Sequence, residues 1–382
     1  MSTAVLTEPV SRPIVGMGAV AAVGSGVDAL FESVCAGRSG RARLRGFDRS
    51  RFTAQHAYEV DDRPVGGGDV PGRATRLLLD AVGQAAEDAG LGDDLSGIPI
   101  LVGTGMREMR SLELWWRDGS PFADSGLNFG AALRERFRAD ITHTFSNGCS
   151  ASLYALALAS DLLGQEGDDA PEHVIVAGVD VVTESMYGLA ERVRPYGGTG
   201  RSVSLGDGAA AIVLRRTGGD AARVHGRLRG VSLSCDAHHV TAPSRDGIAE
   251  VMRSAYRLAG VRPGDVDLVM LHGDGTPGEG DAEAAALAEV FGTDEAAPLM
   301  TAVKSMTGQT LGAAGLIDLI VGIRALGEGR VPTIAWPRGT TDDAPPRFVT
   351  GAAAEGQRMN VAQLNAFGLG GINAVAIVEG GP

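Results

Sequence analysis

Short apolar runs bounded by glycine alternate with longer stretches of helical spacing along this chain, and they do so twice. In the first half, apolar strands are read at Pro13–Gly18, Ile98–Gly103, His173–Val179 and Ala209–Arg215, with helices at Val27–Ala36, Thr75–Ala89 and Ser150–Leu163. The clearest helix sets Leu77, Leu78, Ala81, Val82, Ala85 and Ala86 on one face. In the second half the strands are Val224–Ser234, Asp267–Leu271, Leu299–Thr301 and Ala374–Glu379, and the helices Ile248–Ala259, Asp281–Val290 and Ala313–Ala325. The Pro-, Thr- and Asp-rich segment Trp336–Gln357 reads as a surface connection. Each element must bury one face against another, so this alternation implies an α/β fold of stacked layers. A length of 382 residues suits two domains or two similar halves, expected here as 1–220 and 221–382. Glycine, at 56 residues, is about twice its usual share. It has no G-X-Y period and sits beside small apolar residues, as in tight strand–loop–helix turns.

The 47 acidic residues outnumber the 34 basic ones, and no Lys/Arg run occurs, which argues against binding bulk nucleic acid or an anionic membrane. An acidic partner would need a local cationic patch. Arg41, Arg43, Arg45, Arg49 and Arg51 form the densest one, although a solvated surface is the simpler reading. Cys35, Cys149 and Cys235 are odd in number and widely spaced, unlike a disulfide framework or a zinc site. The apolar stretch Ile14–Val27 is broken by glycine and follows Glu8 and Pro9 rather than a basic leader region. Nowhere do 18 apolar residues run together. A cytoplasmic protein is expected.

Chemistry concentrates in three stretches. In Phe145-Ser146-Asn147-Gly148-Cys149-Ser150-Ala151-Ser152, small residues open an apolar helix, and a thiol there faces the positive end of a helix dipole. That favours the thiolate, the nucleophilic form. A buried structural cysteine is the alternative, as packing is for Cys35 and Cys235. In Leu271-His272-Gly273-Asp274-Gly275-Thr276-Pro277, a histidine ends a strand inside a glycine-rich loop, placed to act as donor or base or simply to occupy a loop. In Lys304-Ser305-Met306-Thr307-Gly308-Gln309, a lysine and a glutamine precede a small-residue helix. A further cluster, Asn365-Ala366-Phe367-Gly368-Leu369-Gly370-Gly371, lacks the spacing and position of a dinucleotide fingerprint.

Taken in order, these stretches resemble the β-ketoacyl-carrier-protein synthases of the thiolase superfamily. Further motifs extend the resemblance over nearly the whole chain: Ile14-Val15-Gly16-Met17-Gly18, Ala36-Gly37-Arg38-Ser39-Gly40, Ala177-Gly178-Val179-Asp180, Arg194-Pro195 and Leu205-Gly206-Asp207-Gly208-Ala209. The run Asp236-Ala237-His238-His239-Val240-Thr241-Ala242-Pro243 is similar to the elongating, type II-like branch. The resemblance implies a five-layered αβαβα fold of two related halves. It further implies a homodimer, or a heterodimer with a ketosynthase-type subunit, and acyl carrier protein as partner. No cofactor is implied beyond the phosphopantetheine arm on which the carrier bears its thioesters. Cys149 would take the acyl chain. The N–H groups of Cys149 and Phe367 would form an oxyanion hole, with Phe367 also the gate beside Gly368. His272 would hold the extender carbonyl, and Lys304 and Glu283 would form a supporting pair. Asp274, Thr276 and Gly368 fall at substrate-binding positions.

Four departures from the family pattern follow. A second histidine is replaced by Gln309, which keeps an N–H donor but neither accepts a proton nor titrates near neutrality. Asp274 replaces a threonine, and a carboxylate there would repel a malonyl carboxylate unless protonated or paired. The loop after Arg194-Pro195 becomes Tyr196-Gly197-Gly198-Thr199-Gly200-Arg201-Ser202-Val203, and Gly280 stands where an aspartate is usual, with Asp281 displaced by one. The expected function is therefore a Cys-His-Gln condensing enzyme of bacterial polyketide or fatty-acid-type secondary metabolism. The alternatives are a non-decarboxylating acyltransferase or cyclase working through acyl-Cys149, and a chain-length-factor-like subunit of a heterodimer.

Overall fold

The computed structural model describes residues 11–63, 67–167, 170–193, 204–216, 223–273, 275, 277–292, 297–335 and 347–381. Ten strands carry the architecture: β1 (Arg12–Ala21), β2 (Ile100–Gly103), β3 (Thr142–Phe145), β4 (His173–Asp180), β5 (Gly208–Arg215), β6 (Gly226–Cys235), β7 (Leu268–Met270), β8 (Leu299–Thr301), β9 (Val361–Gly368) and β10 (Ile372–Gly380). In the first half they lie in the order β1-β5-β4-β2-β3, in the second β6-β10-β9-β7-β8. Within each half the first two pairings are antiparallel and the last two parallel. The same path is thus traced twice. The half-sheets meet where β1 pairs with β6, through Arg12 with Leu228, Pro13 with Arg227 and Ile14 with Gly226. The expected boundary at 220/221 lies outside the described residues.

The helices sort by how much of their surface is apolar. α2 (Arg73–Asp88) and α7 (Arg245–Ala259) each bury a single stripe, as surface helices do. α2 covers β1, β5 and β4, while α7 covers β6 and β10 beside α8 (Pro277–Phe291). α5 (Ala151–Leu162) and α10 (Ala314–Glu328) are instead apolar nearly all round. They pack on each other and on strands of both halves, so they form a middle layer between the half-sheets. The result is helix, sheet, helix, sheet, helix, a thiolase-like stack whose largest apolar cluster lies around α5 and α10.

Close backbone approach in the middle layer accounts for particular glycines. A Cβ on Gly103, at the end of β2, would lie 2.4 Å from the Ser152 nitrogen of α5, and one on Gly178 of β4 would lie 2.4 Å from the Gly312 carbonyl oxygen. The stacked helices reach the sheet only where no side chain intervenes.

The remaining helices are α1 (Val27–Cys35), α3 (Met109–Asp118), α4 (Gly130–Phe137), α6 (Glu184–Val193) and α9 (Lys304–Thr307). The surface connection expected at Trp336–Gln357 needs correction. Residues 336–346 lie outside those described, but Phe348, Thr350 and Ala354 form bridges to Met300, Ile334 and Val331. Val349 is buried, because its N–H donates to the Met300 carbonyl and extends the edge beside β8.

Candidate active site

The nucleophile candidate stands where β3 gives way to α5. Gly148 takes a positive φ of 58°, and Gly148–Ser150 form a 3₁₀ turn that leads into the helix. Cys149 therefore lies just before α5. The thiol is half-buried and packs beside a cluster that includes Val182, Tyr187 and Leu311. Its neighbour Ser150, fully buried, ties this turn to the second half: its hydroxyl lies 2.9 Å from the Ala366 carbonyl oxygen and 3.0 Å from that of Ile372. The turn also touches the Leu311–Ala313 turn ahead of α10.

His272 follows β7 and is 1% exposed. Its backbone N–H donates to Glu283 Oε1 at 2.8 Å, and that of Gly273 to Oε2 at 3.1 Å. Its Nδ1 accepts the Phe367 N–H at 3.2 Å. A ring nitrogen that accepts carries no proton, so the neutral imidazole bears its hydrogen on Nε2. This bond corrects the expectation for Phe367. Its amide is already committed to His272, and its ring is 1% exposed in the second-half core, 5.8 Å from the imidazole. In the turn that follows, the Gly370 N–H donates to Val240 and that of Gly371 to Gly368. Leu369, 45% exposed, gives its N–H to no backbone acceptor among the described residues. A small cleft beside this turn is lined by Thr241, Pro243, Phe367, Gly368 and Leu369.

Gln309 is 2% exposed. Its Oε1 accepts the Leu311 N–H at 3.1 Å, and its Nε2 has no hydrogen-bond partner among the described residues. The orientation parallels that of His272: an acceptor atom is held by a backbone N–H, so the N–H donor lies on the far side. Gln309 is two residues from the Leu311–Ala313 turn that meets the Cys149 turn. The Cys149 turn is thus linked to Gln309 through the Leu311–Ala313 turn and to His272 through Ala366 and Phe367 of β9.

Lys304 and Glu283 are each held by other partners. Lys304 Nζ donates to Asp318 Oδ2 at 2.5 Å, and both side chains are buried. Glu283 is held by amides instead. Burial pushes its carboxyl above the ordinary range, while the Asn365 amide, the His272 and Gly273 N–H groups and the Lys304 charge pull it back. Sequence reasoning missed Asp318, although a charge inside the apolar run Leu316–Val321 was the available signal. It gave no role to Asp180 of the Ala177–Asp180 motif, whose carboxylate accepts the N–H groups of Gly105, Met106 and Gly312 and the Thr104 hydroxyl, clasping first-half loops to the turn before α10. Burial nevertheless pushes Asp180 up to about 6.

Asp274, Thr276, Arg194-Pro195 and the variant loop Tyr196–Val203 lie outside the described residues. Gly280 and Asp281 are exposed on α8. Cys35 is buried, with desolvation pushing its thiol up to about 11. Cys235 is exposed, contrary to a packing role, because it ends β6 beside the glycine turn. Of the arginine cluster, Arg45 pairs with Asp61 at 2.7 Å and Arg49 donates to the Leu44 carbonyl. Arg41, Arg43 and Arg51 are exposed and form no ion pair among the described residues. Desolvation and then the charges of Arg41, Arg43 and Arg49 hold His56 below the ordinary imidazole range.

The N-terminal domain model of the β-ketoacyl synthases matches residues 10–218, and the C-terminal domain model matches residues 225–335. The chain belongs to the β-ketoacyl synthase family. It is accordingly an acyltransferase. The 3-oxoacyl-[acyl-carrier-protein] synthase 2 of Coxiella burnetii is 25% identical over 96% of this chain and 97% of its own length. The actinorhodin polyketide putative beta-ketoacyl synthase 1 of Streptomyces coelicolor is 26% identical over 96% and 88% respectively. Among solved structures, the ishigamide ketosynthase/chain length factor superposes with a TM-score of 0.83 at 29% identity, covering 97% of this chain and 99% of that one. Among the described residues, no helix is long and apolar enough to cross a membrane.

Proposed function

We propose that this synthase performs a decarboxylative Claisen condensation in polyketide or fatty-acid-type secondary metabolism, with Cys149, His272 and Gln309 as its catalytic residues. The observation that carries this reading is the matched anchoring of His272 and Gln309. In each, a backbone N–H occupies the acceptor atom, so the N–H is carried by the opposite nitrogen and faces away from that anchor. Loss of carbon dioxide from a malonyl-type thioester needs donors on the thioester oxygen and no base, and a glutamine amide meets that need.

In the first half-reaction the Cys149 thiolate attacks the acyl thioester, a C–S bond forms, and the carrier's phosphopantetheine thiol leaves and takes up a proton. The negative charge on the acyl oxygen falls to the N–H groups of Cys149 and of Leu369, the amide of the glycine turn with no backbone acceptor. In the second, the bond from the malonyl carboxylate to its α-carbon breaks. The electron pair moves onto the carbonyl oxygen held by His272 Nε2–H and Gln309 Nε2–H. The enolate carbon then attacks acyl-Cys149, and the thiolate is released.

The deciding experiment supplies purified protein with acyl- and malonyl-loaded carrier protein. Intact mass is expected to report one acyl group on the parent and none on Cys149→Ala, and carbon dioxide release is expected to require His272. Release that needs neither residue overturns the mechanism. Acylation only on co-expression with a second ketosynthase-type subunit would instead favour the heterodimer reading.

The acidic carrier docks, on this reading, at the exposed arginines of the hairpin Ala42–Arg43 and His56–Ala57. The base of that hairpin shares an apolar cluster with Cys149 through Leu44, Phe47 and Ala57. Arg41→Glu/Arg43→Glu/Arg51→Glu is expected to raise KM for a carrier-borne substrate about tenfold, the order of one to two kcal/mol of lost charge pairing. KM for a short pantetheine thioester should stay unchanged. An equal effect on both substrates would exclude this surface.

A further inference from the structure

A polar chain runs through the apolar core of the second half toward His272. Glu283 Oε1, besides accepting the His272 N–H, accepts Asn365 Nδ2 at 2.9 Å. Asn365 Oδ1 accepts Gln363 Nε2 at 2.7 Å. Gln363 Oε1 in turn accepts the Tyr256 hydroxyl. Glu283, Asn365, Gln363 and Tyr256 are all buried, Gln363 completely. Gln363 and Asn365 lie two apart on β9 and so share one face of the strand. That face is otherwise occupied by the cluster of Val361, Phe367, Val375 and Ile377. Tyr256 reaches it from α7, its ring set edge-on to Phe291 at 6.2 Å.

The direction of this chain follows from one group. An ionised carboxylate only accepts, so Asn365 must turn its N–H₂ to Glu283 and its oxygen to Gln363. Gln363 must then turn its own N–H₂ to Asn365 and its oxygen to Tyr256, which must donate. Neither amide can flip without leaving buried polar atoms unpaired, so the chain has a single arrangement. Apolar residues of similar size, Leu for Gln363 and Phe for Tyr256, would leave no buried polar atom of their own to satisfy. An amide and a phenol here therefore have a role that packing does not explain.

We propose that Tyr256 and Gln363 are positioning residues for the extender half-site, locking Asn365 and Glu283 so that the His272–Gly273 backbone holds the imidazole in its donating orientation. The proposal rests on the reading of His272 given above and extends it outward by two residues no motif marks. It separates the two half-reactions. Acylation uses Cys149 and the glycine turn and is independent of the chain, whereas decarboxylation uses His272 and depends on it. Asn365 is also the foremost of the groups that pull the Glu283 carboxyl back toward its ordinary range, with the Lys304 charge and the His272 and Gly273 N–H groups as the others. Loss of its N–H should thus move any acid limb that Glu283 imposes to higher pH.

The test compares Gln363→Leu, Gln363→Glu, Tyr256→Phe and Tyr256→Phe/Gln363→Leu with the parent. Gln363→Glu sets a carboxylate against the Asn365 oxygen and forces that amide to turn from Glu283, so it should be the most affected, with decarboxylation down about a hundredfold. Gln363→Leu and the double variant should lose about tenfold and Tyr256→Phe about threefold, all as orders of magnitude for misplacing a donor. Cys149 acylation should stay within twofold of the parent. The double variant, which replaces both polar groups together, guards against misfolding. Decarboxylation within twofold of the parent in folded Gln363→Leu and Gln363→Glu overturns the proposal, and so does parallel loss of both half-reactions together with thermal stability.

A second readout is independent of turnover. In ¹⁵N-histidine NMR, with His272 assigned by its loss in His272→Gln, the parent should show Nε2-protonated neutral imidazole and Gln363→Glu a mixture of tautomers. Unchanged His272 signals in Gln363→Glu also overturn the relay. If the parent neither acylates nor releases carbon dioxide, the functional reading falls, while this spectrum still decides whether the relay holds the ring.

Discussion

At the scale of single residues, the site is built from side chains whose orientation is set by backbone amides. Gln309 is the informative case, because its Oε1 is held by Leu311 and its Nε2 is left to donate. Gln309→Leu removes the donor and should lower carbon dioxide release about 10²–10³-fold, the usual cost of losing one oxyanion donor. Gln309→Glu is subtler. Its carboxylate has no N–H and should fail equally at pH 8, yet once protonated it regains an O–H donor, so activity should recover as pH falls toward 5. Gln309→Leu should show no such recovery. Carbon dioxide release measured across that range checks both, and parental rates in Gln309→Leu would remove Gln309 from the mechanism. In the sequence, Cys149, His272 and Gln309 could be found from motifs. The assignment of the Phe367 amide could not, since it is the pairing of β9 with β7, distant in sequence, that brings it to His272.

At the scale of elements, α9 and α10 are joined by one buried ion pair. Lys304 and Asp318 are fourteen residues apart and lie where neither charge meets water. Lys304→Met leaves Asp318 buried without its cation, which should cost about 3–5 kcal/mol. Burial already raises the Asp318 carboxyl, and Lys304 opposes this. Without Lys304 the folded pKa rises further above the unfolded one, so the folded form binds the extra proton and stability grows as pH falls through that window. The deficit of Lys304→Met should therefore be greatest at pH 8 and shrink toward pH 5, and Lys304→Met/Asp318→Leu should recover most of it. Urea midpoints at the two pH values check the sign, and a deficit that widens on acidification would refute it. Most elements were legible from spacing, with ends shifted by a few residues. α3, α4 and α6 go unread, and α3 and α4 bury only three and two residues, too few for a visible apolar stripe. β3, also unread, is Thr-His-Thr-Phe and lies at the sheet edge with little burial, and β9 interrupts its apolar pattern with Gln363 and Asn365. α9 is a single turn, too short for any period.

At the scale of the whole molecule, the two halves repeat one strand order but do not own separate interiors. α5 begins in the first half, α10 belongs to the second, and each buries its surface against strands of both. Ser150 fastens the first half to β9 and β10, and Asp180 fastens it to Gly312. Either half alone would expose one side of a helix that is apolar all round, an area no soluble domain leaves uncovered. Unfolding should accordingly be a single cooperative event despite the chain's length. In calorimetry the parent should give one transition with equal van't Hoff and calorimetric enthalpies per folding unit. Residues 11–216 and 223–381 expressed apart should each lack fixed tertiary structure and regain it only when mixed. Two separable transitions, or one half that folds alone, would mean that the middle layer belongs to a single half. The meeting of Cys149 with His272 and Gln309 would then depend on docking between domains rather than on a shared core.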